Sequence, residues 1–134
     1  MRFSPIPTLA ASLLLAASAA QAAPSARAEA ALARELAGRV AGPPVDCIYL
    51  RDIRASRIID GIAIVYETGG GTLYVNRPAS GTTWLHRDDV MVTDTHSPQL
   101  CSVDIVRLRD SGSRMETGSV GLGKFVPYRR PAKP

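Results

Sequence analysis

RIIDGIAIVYETGGGTLYVN, residues Arg57 to Asn76, decides the fold class. RIID (57–60) and IAIVYE (62–67) are short runs rich in β-branched and aromatic residues, and they flank Asp60-Gly61. That dipeptide suits a tight hairpin, because glycine reaches positive φ without steric cost. A second break, Gly69-Gly70-Gly71, separates IAIVYE from TLYVN (72–76). Two apolar runs joined through a tight turn, and a third after another glycine turn, predict an antiparallel meander.

Outward from this stretch the same grammar continues. VDCIYL (45–50) precedes it, and VMVT (90–93) and CSVDIVRLR (101–109) follow. In the last of these, Cys101, Val103 and Ile105 alternate with Asp104, Val106 and Leu108, the period-two pattern of a strand. Ser111-Gly112-Ser113 predicts a turn, then a short strand near Met115 and a final one from Val120 to Val126. About six to seven short strands at roughly ten-residue spacing, with no long helix between them, predict a mainly β domain: a small antiparallel barrel or sandwich over residues 45–128.

Residues 23–44 read differently. Ser25 is placed to cap a short helix from about Ala26 to Ala37, with Ala28, Leu32 and Leu36 on one stripe and Gly38 as its stop. The stripe is narrow, which predicts weak packing. Gly42-Pro43-Pro44 then breaks the helix and acts as a linker. Residues 129–134 form a basic tail with Arg129, Arg130 and Lys133.

The start of the chain has the form of an export signal over residues 1–22. Arg2 supplies a positive end, Leu9 to Ala20 an apolar run, and Ala20-Gln21-Ala22 a small-x-small cleavage site, so the mature chain is expected to begin at Ala23. A membrane-spanning helix needs about 20 apolar residues, more than the prolines at 5, 7 and 24 leave. The expected location is therefore the periplasm or the medium, with no transmembrane segment once the signal is cleaved. Removing the 22-residue leader from 134 leaves 112 residues, enough for one modest core. The leader takes one positive charge from the formal +4. Positive residues are dispersed except in the tail, and nucleic-acid binders cluster theirs, so nucleic acid is not an expected partner.

Two cysteines remain, Cys47 and Cys101. In an oxidising compartment an even pair predicts one disulfide. A catalytic thiol would need a neighbouring base and a reducing environment.

Candidate chemistry is sparse. HRDDVMVTDTH (86–96) places His86, Asp88, Asp89, Asp94 and His96 within eleven residues, suggesting metal ligands. VMVT between them reads as a strand about 13 Å long, which sets the two imidazoles at opposite ends, so no metal or cofactor is expected. Glu67 and Asp104 are strand acids of the type that cleave sugars in pairs, with nothing to place them together. No nucleophile elbow or metal-binding doublet occurs. Arg51, Arg54 and Arg57 recur every third residue beside Asp52, but odd spacing on a regular strand sends alternate side chains to opposite faces. Gly118, Gly123 and Lys124 fit the start of a phosphate-binding loop, yet Phe125 replaces the hydroxyl residue that such a loop needs and Pro127 forbids the helix behind it. That stretch reads as a turn into the last strand.

DCIYLRDIRASRIIDG, GGGTLYVNRP, SPQLCSVDIVRL and GLGKFVPYR together resemble a group of small secreted proteins of Gram-negative bacteria to which no activity is assigned. The resemblance spans about Leu36 to Arg130. Members carry further cysteines in the regions that read PASGTTWL (78–85) and TGSVGLG (117–123) here; their joint absence implies one missing bridge and leaves Cys47–Cys101 as the other. The sequence thus predicts a non-catalytic exported binding or envelope-associated module, with an envelope protein or an anionic envelope component as partner. The alternative is a small secreted enzyme or enzyme inhibitor with a loop-built site near residues 86–96.

Overall fold

The computed structural model describes residues 23–134; the expected leader, residues 1–22, lies outside the described residues. Arg57–Asn76 folds as the meander that its pattern predicts. Strands β3 (Ile53–Ile59), β4 (Ala63–Thr68) and β5 (Leu73–Asn76) pair antiparallel in sequence order. At the first turn Gly61 has φ +73°, and the Ile62 N–H donates to the Ile59 carbonyl at 3.1 Å. Positive φ at the third turn position is the conformation that favours glycine there.

The remaining strands are β1 (Val40–Ala41), β2 (Cys47–Tyr49), β6 (Asp89–Thr93), β7 (Gln99–Cys101), β8 (Ile105–Asp110), β9 (Glu116–Gly121) and β10 (Phe125–Arg129). They build three antiparallel sheets: a five-stranded one in the order β1-β10-β5-β4-β3, a three-stranded one in the order β6-β8-β9, and the pair β2-β7. None closes into a barrel, so the mainly β class takes the sandwich form. Among the described residues ten strands replace the expected six or seven: the two-residue β1 lies in the expected linker, and two continuous runs bend. CSVDIVRLR breaks at 102–104, where the Asp104 carboxylate accepts from the Cys101 N–H at 2.7 Å. Val120–Val126 breaks at a corner over 122–124. Val103 consequently leaves the strand and stands 86% exposed, while Val106 and Leu108 enter the core. At the turn after β8, the Asp110 carboxylate accepts from the Ser113 N–H and hydroxyl and the Gly112 N–H. Those bonds hold its pKa below the ordinary carboxylate range.

Two apolar layers lie on either side of the large sheet. Ile58, Ile64, Tyr66 and Phe125 face the smaller sheets and meet Ile48, Leu85, Leu100, Val106, Leu108, Val120 and Leu122. Ile59, Ala63, Val65, Leu73 and Val75 face the opposite way. Covered on both faces, β4 is buried at four successive residues, Ala63 to Tyr66, which is why its sequence is an apolar run rather than an alternation.

The second layer is roofed by helix α1 (Ala23–Glu35). Leu32 is 3% exposed, Ala28 is buried too, and Leu36 just beyond the helix packs beside them. This corrects the expectation of weak packing: one fully buried leucine contributes about 1.5–3 kcal/mol, and a narrow stripe suffices because the sheet beneath is apolar. Ser25 lies inside the helix rather than capping it, and Gly38, at φ +74°, stops it. Gly42-Pro43-Pro44 is held against the sheet: the Gly42 N–H donates to the Pro127 carbonyl at 2.7 Å and β1 pairs with β10. Two ion pairs reinforce the helix, Arg77–Glu29 at 2.8 Å and Arg57–Glu35 at 3.0 Å.

Candidate functional site

The sheets leave strand edges that differ in their protection. β9 is flanked by the preceding loop: the Ala79 N–H donates to the Gly121 carbonyl at 2.9 Å, and the Trp84 ring occupies the space that a side chain at Gly118 would need. Among the described residues β3 pairs only with β4, and β6 only with β8. These two open edges flank one cleft of about 500 Å³, lined by residues 56–59 on one side, residues 87–91 on the other and Glu35 above. A strand edge presents a row of unpaired N–H and C=O groups. The cleft therefore offers backbone donors and acceptors along both walls.

Its floor is the rim of the core. Ile58 is 8% exposed, and Met91 packs against the same cluster. Its charged groups are unevenly matched. Arg57 donates to Glu35 at 3.0 and 3.1 Å and to Glu67 at 3.1 Å. Burial alone would lower the Arg57 pKa; the hydrogen bonds to the two carboxylates outweigh it and raise the value. The Arg87 backbone N–H donates to Asp60 at 2.6 Å and its Nε at 3.0 Å. Both cations are thereby spoken for. Asp88 is exposed and has no hydrogen-bond or ion-pair partner among the described residues. Asp89 uses one oxygen to accept from the Thr117 hydroxyl at 3.0 Å. The cleft is lined by three carboxylates, Glu35, Asp88 and Asp89, against two guanidinium groups, Arg57 and Arg87, which are further bonded to Glu67 and Asp60 just outside it. A negative site thus sits on a chain of formal charge +4.

The segment 86–96 contributes in part. Arg87, Asp88 and Asp89 line the cleft, whereas His86, Asp94 and His96 are exposed outside it, with β6 between the two histidines. Among the described residues no three His, Cys, Asp or Glu side chains are grouped to hold a metal ion. Glu67 is engaged by Arg57 and Asp104 by the Cys101 N–H, so the two strand acids have separate structural tasks.

The three arginines also have separate surroundings. Arg51 lies 5.0 Å from the centre of the Tyr49 ring and beside Asp52. Arg54 occupies a bulge between Ile53 and Ala55 and covers Gly69. Arg57 reaches Glu35 and Glu67. The bulge removes the regular alternation assumed from sequence, yet no common anion site results. Gly118 to Phe125 is β9, a corner and the start of β10, with Lys124 3.5 Å from Asp46.

Cys47 and Cys101 are bonded, sit directly opposite each other in the β2–β7 pair and have Cα atoms 4.0 Å apart. Three residues per strand make too short a ladder to hold itself. The bridge, with buried Ile48 and Leu100 beside it, anchors this pair to the core.

Sequence reasoning missed Ser56 to Ile59 as a cleft wall and missed Asn76 altogether. Asn76 is fully buried; its amide donates to the Gly123 carbonyl at 2.7 Å and accepts from the Gly123 N–H at 3.0 Å. An asparagine ending an apolar strand was the one available signal. Comparisons with protein-family models, curated proteins and solved structures return no match to this chain.

Proposed function

We propose that the protein is a periplasmic or secreted binding module without catalysis, and that it engages an envelope protein through the cleft between β3 and β6. The observation that carries this reading is the pair of open strand edges flanking one cleft. Of the two partner classes expected from the sequence, the excess of carboxylates favours a protein over an anionic component, since like charges repel across an interface. Export is supported by the signal-like start of the chain, by the bridged cysteine pair and by the resemblance to small secreted Gram-negative proteins. The mature domain would reach the envelope with its bridge formed and its cleft open.

Photo-crosslinking in living cells tests the proposal. A crosslinking residue at Val90, 53% exposed on the cleft wall, is compared with one at Val103, 86% exposed outside it. The expected result is a discrete adduct from position 90 alone, in the envelope fraction, from chains whose N-terminus is Ala23. Equal patterns from both positions, or a cytoplasmic chain retaining its leader, would overturn it.

A further inference from the structure

We infer that the cleft takes an extended polypeptide segment as an added strand, and that this segment carries a lysine or arginine set against Asp88. This rests on the reading of the cleft as the binding surface and adds the form and charge of what binds there.

Form follows from the edges. Residues 56–59 of β3 and 89–91 of β6 line the cleft consecutively, so each wall follows the edge of a strand. Backbone pairing with an exposed edge is a general mode of peptide capture, in which main-chain bonds supply affinity and pockets for alternate side chains supply choice. The Arg54 bulge ends the regular ladder of β3, leaving Ala55 to Ile59 as the straight stretch. Five residues span about 17 Å, enough for a five- or six-residue segment. Ile58 and Met91 below favour an apolar side chain pointing down from it.

Charge selects among occupants. A second copy pairing its own Ala55–Ile59 antiparallel to this one in full overlap would set Arg57 directly opposite its counterpart, and like charges directly opposite in a sheet are unfavourable. An anionic segment would meet Glu35, Asp88 and Asp89, while the cleft's two cations, Arg57 and Arg87, are already bonded. A cationic segment finds Asp88 exposed and, among the described residues, without a partner.

The test uses the mature protein and two labelled heptapeptides, Thr-Val-Lys-Val-Lys-Val-Thr and Thr-Val-Glu-Val-Glu-Val-Thr. Binding is read by fluorescence anisotropy at low ionic strength, with amide exchange on the protein. The lysine peptide should bind about fivefold or more tighter than the glutamate peptide, the scale of one exposed charge contact reversed from attraction to repulsion. Amides in 55–59 and 90–92 should slow. Asp88→Lys should invert the preference and Asp88→Asn should weaken it; an exposed residue without partners leaves both variants folded, as circular dichroism will verify. Equal or tighter binding of the glutamate peptide with the same protection overturns the charge inference and leaves the edge reading standing. Protection elsewhere, or none, with either peptide overturns both. Concentration-dependent dimerisation that protects 55–59 without peptide assigns the cleft to a second copy and overturns the inference.

Discussion

Replacing Asn76 by alanine tests the corner on which the large sheet closes. The chain must leave the three-stranded sheet after β9 and enter the five-stranded sheet as β10, between β1 and β5. It turns over 122–124, where the Asn76 amide takes both backbone groups of Gly123 across 47 residues of sequence. Alanine deletes both bonds. A buried donor or acceptor left unpaired costs about 1–3 kcal/mol. Gly123 is half-buried, so water reaches part of the gap and the lower half of that range applies to each group. The expected loss is about 2–4 kcal/mol, against a net stability of about 5–15 kcal/mol for a domain. In a chain of this size that lowers Tm by roughly 10–15 °C. Urea unfolding followed by circular dichroism and thermal melts should agree. Gly123→Ala attacks the same corner from the other side, because its Cβ would stand 2.4 Å from the Arg77 carbonyl oxygen. A loss below about 1 kcal/mol for Asn76→Ala would refute the reasoning, since the paired bonds would then be replaceable by solvent.

Removing the bridge with Cys47→Ala and Cys101→Ala together should cost about 4 kcal/mol for a 54-residue separation, read as a lower urea midpoint; an unchanged midpoint would show that β2–β7 holds without it. Leu32→Ala should cost about 2–4 kcal/mol and speed amide exchange in α1 ahead of the sheet; a helix that stays protected would contradict its docking on Val65 and Val75. Burial pushes the Tyr66 phenol well above its ordinary value of 10.0. The unfolded chain therefore releases this proton first, so the stability present below about pH 10 declines as pH rises toward the folded value. Tyr66→Phe should flatten the fall in Tm above about pH 9; an identical slope in the variant would assign the fall to other groups.

Much of the fold was legible because it is local. Asp60-Gly61 and Gly69-Gly70-Gly71 set their turns through φ values open to glycine, and the runs around them set β3 to β5 through side-chain period. The bonded cysteines were legible from their number, since two cysteines allow one pairing. The two bends were not legible, because the Asp104 carboxylate and the Asn76 amide act on backbone that composition does not mark. Helix docking was misjudged for a similar reason: the value of a narrow stripe depends on the apolar sheet it meets. Of the candidate site, Arg87, Asp88 and Asp89 lay within the segment singled out from sequence, while Ser56 to Ile59 did not stand out from any other strand.

By itself the sequence determined the β class and the turns at Asp60-Gly61 and Gly69-Gly70-Gly71, since these depend on residues close along the chain, and its two cysteines left one possible bridge. Only the tertiary structure decided that β10 lies between β1 and β5, that β9 is flanked by its loop, and that β3 and β6 present open edges to one another. Those outcomes depend on pairings between residues tens of positions apart. A strand's own residues specify its faces but not its neighbours, and the open edges are what remains after all other pairings are made.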